Sequence, residues 1–98
     1  MRLGILLTRS PLHEEARTVR VLASEAAARG HTVQIFLMGE GLYNILDPEF
    51  LKLRGKADIQ ACGVNREALG VPKTEGIRFT GQYDHALLVN GCDRFLHF

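Results

Sequence analysis

The sequence predicts an α/β fold: a three-layer α/β/α sandwich around a mostly parallel, five-stranded sheet. Three observations predict it. Leu3-Gly4-Ile5-Leu6-Leu7 and Thr32-Val33-Gln34-Ile35-Phe36-Leu37-Met38 are short, nearly continuous apolar runs, the pattern of strands buried on both faces. Between them Ala16, Val19, Ala23 and Ala26 fall at helical spacing, flanked by Leu22 and Ala27. Strand, helix and strand within roughly forty residues form a βαβ unit, which demands parallel pairing and a right-handed crossover.

The elements follow in order. The first strand runs from Arg2 to Thr8. Ser10-Pro11 predicts a helix N-cap with proline at the first helical position, and Glu14 and Glu15 suit the positive end of the dipole. Arg29-Gly30 ends that helix, and the second strand spans Thr32 to Met38. Gly39-Glu40-Gly41 reads as a turn, followed by a short helix over Leu42, Tyr43, Ile45 and Leu46 that breaks at Asp47-Pro48. Phe50, Leu51 and Leu53 suggest another turn or two of helix, ending near Gly55. A third strand runs from Asp58 to Ala61 or Cys62. A short helix from Val64 to Leu69 is closed by Gly70 and stopped by Pro72. Ile77 to Thr80 reads as a fourth strand, Tyr83 to Asn90 as a helix capped by Gly91, and Asp93 to Phe98 as the final strand.

With 98 residues and 10.9 kDa, the chain is expected to be one domain over residues 1–98, which excludes a multidomain enzyme. Apolar residues make up 46% and charged residues 23%, which excludes disorder. No apolar stretch approaches the ~20 residues of a membrane span. The opening apolar run is too short for a signal peptide, so the expected compartment is the cytoplasm. Twelve basic residues are scattered against eleven acidic ones, so neither nucleic acid nor a membrane surface is expected as a direct partner. Cys62 and Cys92 form no CxxC and no zinc-ligand cluster; both are expected as reduced thiols, with no metal. Few helices are available to cover five strands, which leaves apolar surface and predicts an oligomer.

In open parallel sheets ligands bind beyond the carboxyl ends of the strands. Cys62 falls there, where a strand gives way to a helix whose unpaired N–H groups favour a thiolate. Gly63 leaves access open, and Arg66, one turn on, could add positive charge. The competing reading is an inert, buried cysteine, because free cysteine is among the most buried residue types. Asn65 is also a better N-cap than Cys62, which would start the helix later. His13, in or just after the first strand–helix loop, could shuttle a proton to Cys62 or simply lie exposed at a helix start. His31 reads as a loop residue at the opposite sheet edge, and no motif surrounds His85 or His97. His13-Glu14-Glu15 opens like a zincin motif, but Arg17 stands where the second histidine would be. Cys92 follows a helix C-terminus and reads as structural. Gly39, Glu40, Gly41 and Tyr43 start like a dinucleotide fingerprint without its third glycine; they are either pocket lining near Cys62 or turn and core residues.

The chain resembles the DsrE/DsrF-like family of small α/β proteins, which includes sulfur-relay subunits. The resemblance runs from Leu3-Gly4-Ile5-Leu6-Leu7-Thr8 to Asp93-Arg94-Phe95-Leu96-His97-Phe98. It is carried most by Gly30-His31-Thr32-Val33, by Ile35-Phe36-Leu37-Met38-Gly39-Glu40-Gly41-Leu42-Tyr43 and by Ala61-Cys62-Gly63-Val64. It implies a five-stranded parallel sheet between helices and homo- or hetero-oligomers, commonly trimers or hexamers. It also implies that Cys62 matches the cysteine that carries sulfur as a persulfide, with no cofactor. The chain is shorter than the relay subunits between its third and fourth strands.

The leading expectation is therefore a cytoplasmic sulfur carrier, a possible sulfurtransferase. Cys62 would accept sulfur from a donor protein and pass it to an acceptor, aided by Arg66 and His13. The alternatives are a non-catalytic binding module for a small anionic ligand or nucleotide, using Gly39, Glu40, Gly41, Tyr43 and Gly63, and a structural subunit of a larger assembly.

Overall fold

A computed structural model describes residues 1–98. Five strands, β1 (Arg2–Leu7), β2 (Thr32–Leu37), β3 (Asp58–Cys62), β4 (Ile77–Thr80) and β5 (Arg94–His97), pair in the order β4-β3-β2-β1-β5. Every neighbouring pair is parallel, so the expected α/β class holds and the sheet is wholly parallel. The helices are α1 (Glu14–Ala28), α2 (Pro48–Leu51), α3 (Gly63–Leu69) and α4 (Gln82–Gly91), with a 3-10 helix over Gly39–Leu46.

Strand order and handedness decide which face each helix covers. From β1 to β4 the chain steps in one direction across the sheet, and right-handed crossovers put the intervening helices on one side. The return from β4 to β5 runs the other way, which sends α4 to the opposite side. The side chains agree. Leu3, Ile5, Val33, Ile35, Ile59 and Ala61 share one face by register and are buried. Ala16, Val19 and Ala23 of α1, Leu42 and Ile45 of the 3-10 helix and Phe50 of α2 join the same core. Each large side chain fully buried there contributes roughly 1.5–3 kcal/mol.

The second face carries one helix. α4 crosses β1 at Gly4, where an added Cβ would lie 2.7 Å from Leu88 Cδ2 and 3.0 Å from Cys92 Sγ. Glycine there lets helix and strand touch. Away from α4 this face is polar: Gln34, Asp58, Gln60, Arg78 and Thr80 occupy it by register.

Three local expectations are corrected. α1 begins at Glu14 with His13 as its N-cap, not at Ser10-Pro11. Ser10 instead closes a turn: its carbonyl accepts from His13 N–H at 3.1 Å and its Oγ from Leu12 N–H at 3.4 Å. The segment after β2 is a 3-10 helix from Gly39 rather than a short helix from Leu42. α3 starts directly after Cys62, because the Asn65 side chain is engaged elsewhere. No helix is long and apolar enough to cross a membrane.

Candidate functional site

β3 and β4 are neighbours, yet the helices that follow them leave toward opposite faces. Such a switch in direction opens a crevice at the carboxyl ends of parallel strands. Cys62 stands at this junction, as the last residue of β3, the N-cap of α3 and the register partner of Thr80, and is packed into the apolar core. Strand alternation puts its side chain on the α4 face, in line with Gln60. Beside it the Thr80 hydroxyl donates to Gln60 Oε1 at 3.1 Å. Above, Gln82 at the start of α4 places its Nε2 3.9 Å from Met38 Sδ. Cys62 is only 6% exposed.

The first amides of α3 have no partner within the helix. They lie next to the thiol, which itself makes no capping hydrogen bond. With seven residues, α3 supplies a dipole effect toward the lower end of about 0.3–1 kcal/mol. Gly63 is half-buried, and a Cβ on it would meet only the Thr80 carbonyl oxygen, at 3.6 Å.

The structure does not bring the other expected groups to this thiol. His13 is exposed at the start of α1, two strands away and on the other face. Arg66 turns toward the far end of its helix: Nη1 donates to the Val71 carbonyl at 3.2 Å, and the guanidinium lies 5.6 Å from the Phe79 ring centroid. Phe79 pairs with Ala61 in register, so Arg66 belongs to the α1 face and Cys62 to the other. Glu40 is exposed in a polar cleft at the carboxyl ends of β1 and β5, with Thr8, Arg9, Glu15 and His97. Its neighbour Gly39 is tied to Asn65 of α3, but the Glu40 side chain lies in this cleft, which does not include Cys62. Tyr43 is half-buried against the core.

The glycines after β2 have a structural explanation. A Cβ on Gly41 would lie 2.0 Å from the Leu7 carbonyl oxygen, so only glycine lets the 3-10 helix press on β1. The Gly41 amide donates to the Met38 carbonyl at 3.0 Å and the Gly39 amide to Asn65 Oδ1 at 2.8 Å. Neither amide is free for a phosphate, and the resemblance to a dinucleotide fingerprint ends there.

Cys92 lies at the opposite sheet edge, before β5. Its thiol donates to the Val89 carbonyl at 3.4 Å, and both cysteines are free. No cluster of three or more His, Cys, Asp or Glu side chains is placed to hold a metal ion.

Two polar residues were not singled out by sequence reasoning. Asn44 is fully buried; its Nδ2 donates to the Arg9 carbonyl at 2.8 Å and the Gly41 carbonyl at 2.9 Å, tying the loop after β1 to the 3-10 helix. Its position among the apolar residues Leu42, Tyr43 and Ile45 was the available signal. His85 lies on the inner side of α4, with its ring centroid 4.9 Å from that of Phe36 and 6.1 Å from that of Phe95. Its Nε2 is buried without a partner. Burial first, and the charge of nearby His97 second, lower its pKa below the ordinary 6.5. Its spacing of three from Leu88 marked it as inward-facing.

Comparison with known proteins gives a family rather than an activity. A profile of the DsrE/DsrF-like family matches residues 1–98, the whole chain. No curated protein matches it in sequence. Among solved structures it is similar to the ychN protein of E. coli, with a TM-score of 0.79 and 14% identity over 100% of both chains. It is also similar to BT1422, a conserved protein of unknown function from Bacteroides thetaiotaomicron. There the TM-score is 0.72 and the identity 20%, over 99% of this chain and 94% of that one. At those identities the likeness establishes a shared fold. With every residue from 1 to 98 inside the matched profile, the chain belongs to the DsrE/DsrF-like family.

Proposed function

We propose that this chain carries sulfane sulfur as a persulfide on Cys62. Family membership fits a sulfur-relay role in general. The observation that carries the finer reading is the placement of Cys62 at the head of α3, where the helices after β3 and β4 diverge to opposite faces. The thiolate attacks the outer sulfur of a donor persulfide. The donor S–S bond breaks, its thiolate leaves, and a new S–S bond forms on Cys62, with the proton remaining on the transferred sulfur. A partner thiolate removes that sulfur by the same exchange. The reaction is redox-neutral and uses no cofactor. A reducing compartment such as the cytoplasm keeps both cysteines available for it.

Burial sets a condition on this chemistry. At 6% exposure the thiol reacts only when the chain around it opens, as on docking of a donor or acceptor. The test is incubation with a persulfide donor followed by intact-mass measurement. One added sulfur on wild type and none on Cys62→Ser is the expected result. Sulfur on Cys92 alone, or no sulfur, overturns the reading.

The same burial favours a second reading, in which Cys62 only packs and the chain is a binding module. The open polar cleft containing Arg9, Glu15, Glu40 and His97 would then hold the ligand. A small molecule retained in native mass spectrometry, lost on Glu40→Ala and kept on Cys62→Ser, is the result that selects it.

A further inference from the structure

The α4 face has a single helical cover, and Cys62 lies toward the end where that cover begins. Leu6, Phe36 and Cys62 are the sheet residues of this face in the buried apolar cluster, and Leu88 is the one residue of α4 that joins them. The chain leaves β4 at Thr80, the register partner of Cys62, and α4 begins after a single residue, Gly81. Gln82 already reaches Met38, which follows β2, at 3.9 Å. Strand β3 lies between β4 and β2, so the entry to α4 passes over the end of β3, where Cys62 stands. At its far end α4 is tied down: the Arg2 amide donates to Asp93 Oδ2 at 2.7 Å, and a Cβ on Gly91 would lie 3.4 Å from an Arg2 guanidinium nitrogen.

The near end is held by less. One turn before Leu88, His85 packs on Phe36 and Phe95, with its Nε2 buried and unpartnered. From β5, His97 stands on the same face, with its own Nε2 3.4 Å from Thr8 Oγ1. The carboxylates around α4 are engaged elsewhere: Asp84 with the Gly81 amide at 3.4 Å, Asp93 with Arg2, and Asp58 with Arg78 at 2.7 Å. Glu40 and Arg9 share the exposed cleft that contains His97. His85 is also the fourth residue of α4, where the helix dipole opposes positive charge. A neutral ring suits this packing. A protonated one carries N–H on both nitrogens and leaves Nε2–H buried without an acceptor.

We propose that α4 is a proton-operated lid over Cys62: neutral His85 holds it shut, and protonated His85 lifts its first turns and uncovers the thiol. Gly81 is the pivot, with open space where a Cβ would stand. The lid rests on the sulfur-carrier reading for its purpose, because it regulates that same site. Its movement is measured without sulfur.

The experiment follows the rate at which dithiodipyridine, a thiol reagent that stays active in acid, labels Cys62 of the intact chain, with the site read by peptide mass. Each rate is divided by that of the same chain unfolded in urea at the same pH, which removes the pH dependence of the reagent and of an ordinary thiol. From about pH 7.5 to about pH 5.5 the protection of Cys62 is expected to fall at least about threefold in wild type and to stay level in His85→Gln. Hydrogen exchange, corrected for the intrinsic rate at each pH, is expected to show the same loss over α4 and none over α1. Flat protection in wild type overturns the proposal. So does a fall that persists in His85→Gln, or one that the α1 amides share. If circular dichroism shows His85→Gln unfolded, His85→Phe keeps a ring between Phe36 and Phe95 and makes the same comparison. The two readings fail separately. A thiol that takes no sulfur yet gains exposure in acid overturns the carrier and leaves the lid, whereas flat protection with sulfur loaded overturns the lid and leaves the carrier.

Discussion

On the α1 face of the sheet, four helical segments set apolar side chains onto strand positions that are themselves aliphatic. On the α4 face, a single ten-residue helix covers Gly4, Leu6 and Phe36, and the neighbouring strand positions are Gln34, Asp58, Gln60 and Arg78. The first face is a close-packed aliphatic core with one orphaned polar atom, Asn44 Oδ1. The second is a thinner layer containing a histidine with an orphaned ring nitrogen, an unpartnered glutamine oxygen and the candidate thiol. The contrast teaches that strand parity divides a close-packed aliphatic layer from a thinner, more polar one. Residues one apart in β3, Ala61 and Cys62, point to different faces.

The largest expected effect tests the heavy face. Phe50 is fully buried on α2, and Phe50→Ala is expected to cost about 3–5 kcal/mol in urea unfolding, since the rigid surroundings cannot close the cavity. Leu88→Ala on α4 is expected to cost less, about 2–3 kcal/mol, because one side of that helix already faces water. Hydrogen exchange should show the α4 amides opening before those of α1. Equal costs and simultaneous exchange would remove the distinction between the faces.

A smaller effect comes from pH. His85 has a folded pKa below its ordinary 6.5, so the folded state favours the neutral ring. Its contribution is intact above 6.5 and is lost as pH falls through that value toward the lowered folded pKa. The melting temperature is expected to drop as pH falls below 6.5, and His85→Gln should flatten part of that slope. His97→Gln, which removes the charge that adds to the shift, should flatten the slope slightly when His85 is present and not when it is replaced. A slope unchanged in His85→Gln would show that the ring is solvated.

The smallest effect is expected at the Asp58–Arg78 pair. It is short, 2.7 Å, but its side chains are 37% and 59% exposed. A double-mutant cycle should give a coupling of about 0–1 kcal/mol that fades with added salt. A larger coupling would mean that this polar face is covered in solution.

Much of the fold could be read directly from residues. Buried parallel strands leave uninterrupted apolar runs, and Gly30 and Gly70 mark helix ends because they stop a hydrogen-bond ladder. Ser10-Pro11 misled because the same pair opens a turn as readily as a helix. The site was less legible. Locating Cys62 at a strand–helix junction needed only local pattern. Its burial, and its separation from His13 and Arg66, depend on strand order and on which face each helix takes, and these are fixed by contacts far apart in sequence. The glycines at 39 and 41 looked like a ligand loop because a phosphate and a neighbouring carbonyl can make the same demand, that no side chain be present.

The pairing of β5 with β1 joins Arg94 to Leu3 across nearly the whole chain. During synthesis the first strand must therefore wait, with one ladder of amides and carbonyls open, until the last strand leaves the ribosome. Closing so long a loop is entropically costly and slows folding relative to domains built from local contacts. The nascent chain holds an exposed strand edge through most of its translation, the period in which a chaperone would be of most use to it.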